Sequence, residues 1–415
     1  MDFITDNILR NPPILLALIA AVGLILQKKS FTDIIKGTLM TAFGMIIMQV
    51  GIGMLVGSIL PINIAFQEVL TYGEVVAGLD DATFTASFGG DIGLAMFIGL
   101  GLHLAIARFT PFKVIFLTGH MLWWFPFIFV AAGVEGGLVG MPLVLFGAVS
   151  SALYWSIMPW ILRKYVFAVI GDESFTLGHP TGILALVSGF VASKVGDKSK
   201  STEDINLPKG LSFFREVSIT GGIVVFIVFI VTGLFVMSDL VQGNLVMDSL
   251  GQGLEFGAGL IIMLQGVRML ISQIVPAFKG ISEKIVPNAL PAFDCPIIFN
   301  YKPNAVLIGF VVAMIVSTLL IVLTNTMGIF GVMLIPLVIT SFFECGSAAV
   351  IGEGQGGLRG AIVGTVVAAT VMVVLVGISA IIYATTIQNW MLIFGGNDLS
   401  LFGIIGRGIA GIFGG

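Results

Sequence analysis

Long apolar runs are the feature that most constrains how this chain can fold. Most of them are nearly free of charge, and several approach the length needed to cross a bilayer. Lipid can be spanned by helices, which satisfy their own backbone hydrogen bonds, or by closed barrels. A barrel would show short segments of alternating polarity, whereas these runs are continuous. The sequence therefore predicts an all-α polytopic membrane protein.

Composition excludes the main alternatives. Only 10% of the residues are charged and 57% are hydrophobic, whereas a soluble domain has about 25% charged residues. The net charge of -4 is thinly spread, and no basic stripe invites nucleic acid. Two cysteines cannot form a disulfide framework. The first apolar run follows Asp2 and Asp6 and lacks a small-residue cleavage pattern, so we expect an anchor rather than a signal peptide.

We predict about 10–11 spans, some of them re-entrant or broken helices. In chain order the apolar segments are Pro12–Leu26, Gly37–Leu60, Ile92–Ala107, Val114–Val130, Gly140–Leu162, Phe175–Ser193, Val217–Ser238, Phe256–Val275, Asn304–Leu323, Phe330–Phe343 and Ala361–Tyr383, with a weak last candidate at Leu399–Phe413.

Basic residues in the loops predict the orientation of the chain. Lys28 and Lys29 follow the first run, so we expect the N-terminus outside. The loop Lys194–Arg215 is the longest polar stretch and is rich in lysine, which indicates the cytoplasmic side. This loop is either a solvated hinge between two membrane halves or a docking site for a partner, and the two roles are compatible.

A short internal similarity indicates duplication. Met54–Pro61 resembles Met269–Pro276, at a constant offset of 215 residues. Transporters are commonly built from such repeats, often inverted, with the site between interrupted helices. We therefore predict a single membrane domain made of a first repeat (1–195), a cytoplasmic linker (196–215) and a second repeat (216–415).

Two histidines are the first candidates for a substrate site. His120 and His179 each follow a glycine, and each lies in an interrupted apolar segment. Strongly polar residues inside a membrane are costly and usually face a cavity or a partner. A structural hydrogen bond is the alternative for each of them, and it is the interpretation that we give to His103, which lies within an apolar run.

Carboxylates and a tryptophan complete the candidate site. Asp294 is bracketed by prolines and could accept two sugar hydroxyls, although a helix cap is the alternative. Glu344 is a similar, weaker case, and Glu353, in a glycine-rich stretch, is expected at the surface. Trp124 lies four residues after His120, so it shares its helix face and could stack on a sugar ring. The alternative is an interfacial belt, which together with packing is the expectation for Trp123.

Several kinds of chemistry are not indicated. The glycine-rich stretch ending at Gly357 lacks the Gly-Lys-Ser/Thr ending of a phosphate loop. No metal-ligand spacing and no nucleophile elbow appear. We therefore predict no catalytic residue, no cofactor and no metal.

The chain resembles the ascorbate-type enzyme IIC, the membrane component of the phosphoenolpyruvate-dependent sugar phosphotransferase system. The similarity runs over nearly the whole sequence. Its clearest segments are Lys29–Thr38, Leu117–His120, Gly178-His179, Glu203–Pro208, Gln265–Met269, Ala277–Ser282, Phe293–Cys295 and Pro303–Val306.

This resemblance implies a mechanism and partners. It implies a bacterial cytoplasmic-membrane homodimer of about eleven spans per protomer, with a dimerising scaffold and a mobile core that carries a sugar or sugar acid inward by an elevator-type motion. Separate IIA and IIB proteins would supply the phosphoryl group, since Cys295 and Cys345 lie beside apolar segments and a phosphoryl-accepting thiolate needs access. Carried over by motif, His120, His179 and Asp294 fall on sugar-contacting positions.

The match departs from the family pattern beside both histidines. Trp124 and Thr181 occur in stretches where ascorbate carriers have glutamine-rich, polar residues, which argues against ascorbate itself. Thr181 is nevertheless kept as a candidate contact. Ser87 is a further candidate contact by the resemblance, in a loop that aligns poorly. The alternative function is an ion-coupled secondary transporter of a small polar solute, with Asp294 or Glu344 binding a proton or cation.

Overall fold

Helices form most of the part of the chain that the computed structural model describes, which comprises residues 11–70, 81–204, 216–235 and 243–414. In chain order the helices are α1 (Pro12–Leu26), α2 (Phe31–Leu70), α3 (Asp81–Phe109), α4 (Met121–Glu135), α5 (Gly140–Ile170), α6 (Gly182–Val195), α7 (Val217–Phe235), α8 (Leu245–Lys284), α9 (Pro303–Thr326), α10 (Gly346–Ile382), α11 (Gln388–Phe394) and α12 (Asp398–Phe413). A helical turn, Val338–Thr340, and a π-helical segment, Ser341–Cys345, lead directly into α10.

The helices confirm the predicted fold class. Within the described ranges, six helical stretches are long and apolar enough to cross a membrane, and four shorter apolar helices accompany them. The long stretches are Phe31–Ile59, Thr83–Phe109, Gly140–Ile170, Leu245–Ile281, Pro303–Thr326 and Val338–Ile382. The protein is therefore an all-α polytopic membrane protein.

Helices α2 and α8 pack against each other through glycines. A Cβ atom added at Gly51 would lie 2.3 Å from the Met263 nitrogen, and one added at Gly266 would lie 2.2 Å from the Met48 nitrogen. The two backbones are therefore in direct contact, which is how small residues let membrane helices approach closely. Helix α8 also packs against α1 and α7, so these four helices form one group.

A three-stranded parallel sheet, which the sequence did not predict, lies among the remaining helices. Strands β1 (Val114–Phe116) and β2 (Thr176–Leu177) flank the central strand β3 (Leu290–Phe293). Non-helical backbone at membrane depth is tolerated only where protein surrounds it or where it lines a cavity. The strands meet that condition, since nearly all of their residues are buried.

The sheet corrects three predicted spans. Val114–Val130 is not a continuous helix, because it begins as β1 and becomes helical only at Met121. Phe175–Ser193 likewise begins with β2, and its helix α6 has 14 residues. In Phe330–Phe343 the helical structure begins only at Val338. In all three cases hydrophobicity marks burial, which helices and buried strands share.

His103 satisfies the outer edge of this sheet, in line with the structural role predicted for it. Its Nε2 accepts a hydrogen bond from the backbone N–H of Phe116, at 3.0 Å. Nδ1 must then carry the proton and donate to the Ser156 hydroxyl, at 2.8 Å. The histidine therefore pairs an edge-strand donor that would otherwise be orphaned in an apolar environment.

The described part of the linker is fastened to α10. Glu353 is buried rather than at the surface, which corrects the sequence expectation. Its Oε1 accepts hydrogen bonds from the Ser201 hydroxyl (2.5 Å) and the Thr202 N–H (3.2 Å), and Lys302 Nζ lies 3.1 Å from its Oε2. We call these four residues the clamp. Residues 205–215 of the predicted linker lie outside the described ranges.

Candidate functional site

Three candidate residues follow the ends of three neighbouring strands. Asp294 comes directly after β3, His179 two residues after β2, and His120 four residues after β1. The strands are parallel, so their carboxyl ends meet at one edge of the sheet. Residues that are far apart in sequence are brought together there.

Gly178 allows this convergence. Its N–H donates to the Phe293 carbonyl at 2.7 Å, which continues the pairing of β2 with β3. A Cβ atom at position 178 would lie 3.0 Å from both Ala292 and Phe116. A side chain there would push the strands apart, which explains the glycine before His179.

Asp294 lies between the two imidazoles. Its Oδ2 is 3.7 Å from His120 Nε2, and its Oδ1 is 3.5 Å from His179 Nε2. These separations exceed those of good hydrogen bonds. His179 and Asp294 are largely buried, whereas the His120 side chain is 36% exposed. We call these three residues the strand-end cluster.

Asp294 also has the capping role that was the alternative interpretation. Its Oδ1 accepts a hydrogen bond from the Cys295 N–H at 2.7 Å, at the start of the 3-10 helix Cys295–Ile298. The two interpretations are compatible, because a carboxylate has several lone-pair sites. The capping bond fixes the carboxylate beside the histidines.

Asp398, which the sequence analysis missed, supports the His179 segment. It accepts hydrogen bonds from the Tyr154 hydroxyl and from the Ile183 N–H, and its own N–H donates to the Pro180 carbonyl at 3.1 Å. The Tyr154 hydroxyl also lies 3.2 Å from the His179 carbonyl. A buried aspartate therefore holds both the start of α6 and the turn that carries His179.

The strand-end cluster opens into a cavity of about 540 Å³. One wall is a single face of α2, formed by Met45, Gln49, Ile52, Gly53 and Val56. The opposite wall comes from the strand ends, from the segment around Glu344 and from α11. The cavity therefore lies between the group of helices that contains α2 and the part of the protein that contains the sheet.

An aromatic surface forms part of the cavity wall. Trp124 and Trp390 both line it, with ring centroids 5.0 Å apart and planes inclined by 32°. Trp123 is 7% exposed and belongs to the buried core rather than to the lining. Trp390 was missed, because α11 is too short to appear as a separate apolar run.

Glu344 lies in the cavity wall as part of the π-helical segment, where it is 6% exposed. Its Oε1 accepts a hydrogen bond from Asn397 Nδ2 at 2.9 Å. Its Oε2 has no hydrogen-bond partner among the described residues. Asn397 was also missed, although the run Gly395-Gly396-Asn397-Asp398 before an apolar stretch is a recognisable helix-start signal.

Two candidate residues do not line the cavity. Ser87 is exposed on α3, and its hydroxyl bonds back to the Thr83 carbonyl at 3.2 Å. This is a helix-internal bond, which is typical of serine in membrane helices. Thr181 is fully buried at the start of α6, beside the lining residue Pro180 but not itself in the wall. The sequence pattern around them gives neighbourhood, not side-chain direction.

The cluster has the donor types of a metal site, although no local spacing predicted one. One ligand atom from each of its three residues lies within 4.8 Å of the others. A set of two imidazoles and a carboxylate can bind a transition metal or bond to polar groups of a solute. The two cysteines are free and fully buried, Cys295 directly after Asp294 and Cys345 after Glu344.

Comparison with known proteins gives a family match and a similar protein. A family described as PTS system sugar-specific permease component (EIIC-GAT) matches residues 7–398. The ascorbate-specific PTS system EIIC component of Mycoplasma pneumoniae is 25% identical over 423 residues, which cover 86% of this chain. The chain spans 63% of that relative's own length.

Proposed function

Because the chain belongs to the EIIC-GAT family of sugar-specific permease components of the phosphotransferase system, we propose that it carries a sugar or sugar acid across the bacterial cytoplasmic membrane. The observation that carries the proposal is the strand-end cluster, which brings His120, His179 and Asp294 to the wall of a cavity between two groups of helices. Imidazoles and a carboxylate bond well to hydroxyl groups. Polar groups at membrane depth typically belong to such pathways.

We assign substrate contact to the strand-end cluster, to Trp124 and to Glu344. The cavity volume is in the range of small-molecule sites, which are mostly apolar with a few polar groups that fix orientation. Trp124 would stack on the apolar face of a sugar ring, and the strand-end cluster would bond its hydroxyls. Ser87 and Thr181 have no part in this assignment.

Alternating access is the proposed mode of transport. One cavity wall belongs to α2, which packs with α1 and α8, and the other belongs to the part with the sheet. A movement of the sheet-containing part against the α2 group would carry the cluster across the membrane, in the manner of an elevator. We further propose that the α2 group is the scaffold of a homodimer.

Symmetric contacts support the two inverted repeats. Gly44 and Gly51 of α2 lie 215 residues before Gly259 and Gly266 of α8, the same offset as the sequence similarity. Gly51 approaches Met263, and the matching contact of Gly266 is with Met48. Contact positions rise along α2 as they fall along α8, so the two helices are antiparallel. Such reciprocal contacts are those that a local two-fold axis would produce.

Separate IIA and IIB proteins are the proposed phosphoryl donors. Full burial of Cys295 and Cys345 supports this division, because a phosphoryl-carrying thiolate must be accessible to its partners. Lysines near the start of α2 and in the linker support an external N-terminus and a cytoplasmic linker. Phosphorylation at the inner face would trap the solute as an anion, so uptake would need no ion gradient.

Uptake into vesicles with a collapsed ion gradient tests this proposal. With phosphoenolpyruvate, IIA and IIB present, we expect transport to persist and sugar phosphate to appear inside. Vesicles that lack IIB are the control and should accumulate nothing. Accumulation of unmodified solute that stops when an ionophore is added would instead establish ion-coupled transport, with Asp294 or Glu344 as the group that binds the ion.

A further inference from the structure

We propose that the cavity selects an uncharged polyhydroxylated solute over the corresponding sugar acid. This inference rests on the proposed transport function and narrows its substrate class. It comes from the charges in the cavity wall, which contains two carboxyl groups and, among the residues that the structure describes, no lysine or arginine.

The two histidines do not supply a free positive charge. His120 and His179 both face Asp294, with Nε2 atoms 3.7 and 3.5 Å from its two oxygens. A proton on either ring would therefore be balanced by Asp294 before any solute binds. Glu344 adds a second carboxyl group to the same wall.

A carboxylate that enters this cavity would lose water without gaining a cation. Buried charges need an opposite charge or several strong donors, because the cost of desolvation is large. An ionised Glu344 would repel the bound anion, and a protonated Glu344 would offer no positive charge. In either protonation state the wall favours the neutral member of a pair of solutes that differ only in a carboxylate.

The remaining polar groups suit hydroxyls. Gln49 and Asn397 carry amides and Thr340 carries a hydroxyl, and all three line the cavity. These groups can both donate to and accept from an alcohol. Glu344 Oε2, which has no partner within the described chain, is an additional site for a solute hydroxyl after a small side-chain rotation. Trp124 and Trp390 provide the surface for the apolar face of a ring.

Binding to the purified full-length protein in lipid nanodiscs tests the inference. The probes are pairs that differ in charge alone, D-glucose with D-glucuronate and D-galactose with D-galacturonate, together with hexitols and the matching hexonates. Calorimetry at pH 7.5 should give, for each pair that binds, a neutral member at least about tenfold tighter than the acid. An acid that binds as tightly as its neutral partner, L-ascorbate included, would overturn the inference.

A gain-of-charge variant sharpens the test. Gln49→Lys adds the missing cation to the wall, so it should shift the ratio of affinities toward the acid by about tenfold or more. Gln265→Lys is the matched control, because Gln265 is exposed on α8 and does not line this cavity, and its ratio should equal that of the wild type. An unchanged ratio in Gln49→Lys would contradict the charge argument.

The two proposals fail in different ways. Phosphoenolpyruvate-dependent uptake of a sugar acid in preference to its neutral partner would leave the proposed function intact and overturn the inference alone. Binding of neither class, together with uptake that an ionophore abolishes, would overturn both.

Discussion

The clamp and the strand-end cluster are both polar groups inside an apolar protein, but their hydrogen bonding differs. In the clamp, both oxygens of Glu353 have partners, one of them Lys302 at 3.1 Å. In the strand-end cluster, the oxygens of Asp294 lie 3.5 and 3.7 Å from the imidazoles, and His120 is open to the cavity. Buried polar groups are normally paired with one another. The clamp therefore completes a structure, whereas the cluster leaves bonding capacity for a solute.

The clamp has a structural task that the cluster lacks. Helix α10 is broken at Gly356 and Gly357, and the linker supplies the missing partners: the Asp197 N–H donates to the Gly356 carbonyl, and the Leu358 N–H donates to the Lys200 carbonyl. Gly357 has φ = 59°, and a Cβ atom there would lie 2.2 Å from the Lys200 carbonyl oxygen. The linker fits against the break only because a glycine is present.

Removal of the clamp carboxylate should give the largest effect on stability. Glu353→Ala leaves Lys302 and the Ser201 hydroxyl without their acceptor, and we expect a loss of about 2–4 kcal/mol. The lower part of this range applies if water reaches Lys302, which is 26% exposed. Thermal unfolding in detergent measures the change. Glu173→Ala, at an exposed glutamate beyond α5, is the control and should be neutral. Weakened solute binding at full stability would contradict the structural role.

The corresponding change in the strand-end cluster should have the opposite pattern. Asp294→Asn keeps an oxygen for the Cys295 N–H but removes the charge beside the histidines. We expect solute affinity to fall by about 1.5–3 kcal/mol, with little change in melting temperature. Calorimetry and thermal unfolding on one preparation measure both quantities, and Asp172→Asn at an exposed turn is the matched control. A large loss of stability with unchanged affinity would show that Asp294 acts only as a cap.

Prediction from the sequence succeeded where one residue type carried the signal and failed where pairing did. His120, His179 and Asp294 stood out because polar residues are rare in apolar segments. The sheet beneath them was missed, since strands of two to four residues look like pieces of a helix. Glu353 was expected at the surface because its partner Lys302 lies 51 residues away in the sequence. Long-range pairing of this kind leaves no local pattern.

An aromatic variant tests the apolar side of the same cavity. Trp124→Ala should weaken binding by about 1–3 kcal/mol, because the solute loses an apolar contact. Trp124→Phe should recover part of this loss. The control is Trp160→Ala, since Trp160 stacks on Arg163 outside the cavity lining. Unchanged affinity and uptake in Trp124→Ala would refute the stacking role and leave packing as its function.

The smallest expected effect lies at the edge of the clamp. Glu203 accepts hydrogen bonds from the Asn304 N–H (3.1 Å) and the Thr202 hydroxyl (3.2 Å). Partial burial nevertheless raises the pKa of this carboxyl above its ordinary value, an effect that the Asn304 N–H, the Thr202 hydroxyl and Lys302 reduce but do not cancel. The folded protein therefore binds this proton more tightly than the unfolded chain does. The stability from this difference is fully present below the unfolded pKa, and it is lost as the pH rises through the folded value.

Glu203→Gln removes that dependence while keeping an oxygen for the Asn304 N–H. At pH 4 the variant and the wild type should have nearly equal stability, because the wild-type carboxyl is then largely protonated. At pH 7.5 the variant should be more stable by at most about 0.5 kcal/mol, since water around this largely exposed side chain screens the charge. Melting temperatures at both pH values measure the difference, and the other carboxyls titrate alike in both proteins. A variant that is less stable at pH 7.5 would mean that the ionised carboxylate stabilises the start of α9, as an anion at a helix N-terminus does. In that case Glu203 would belong to the clamp itself.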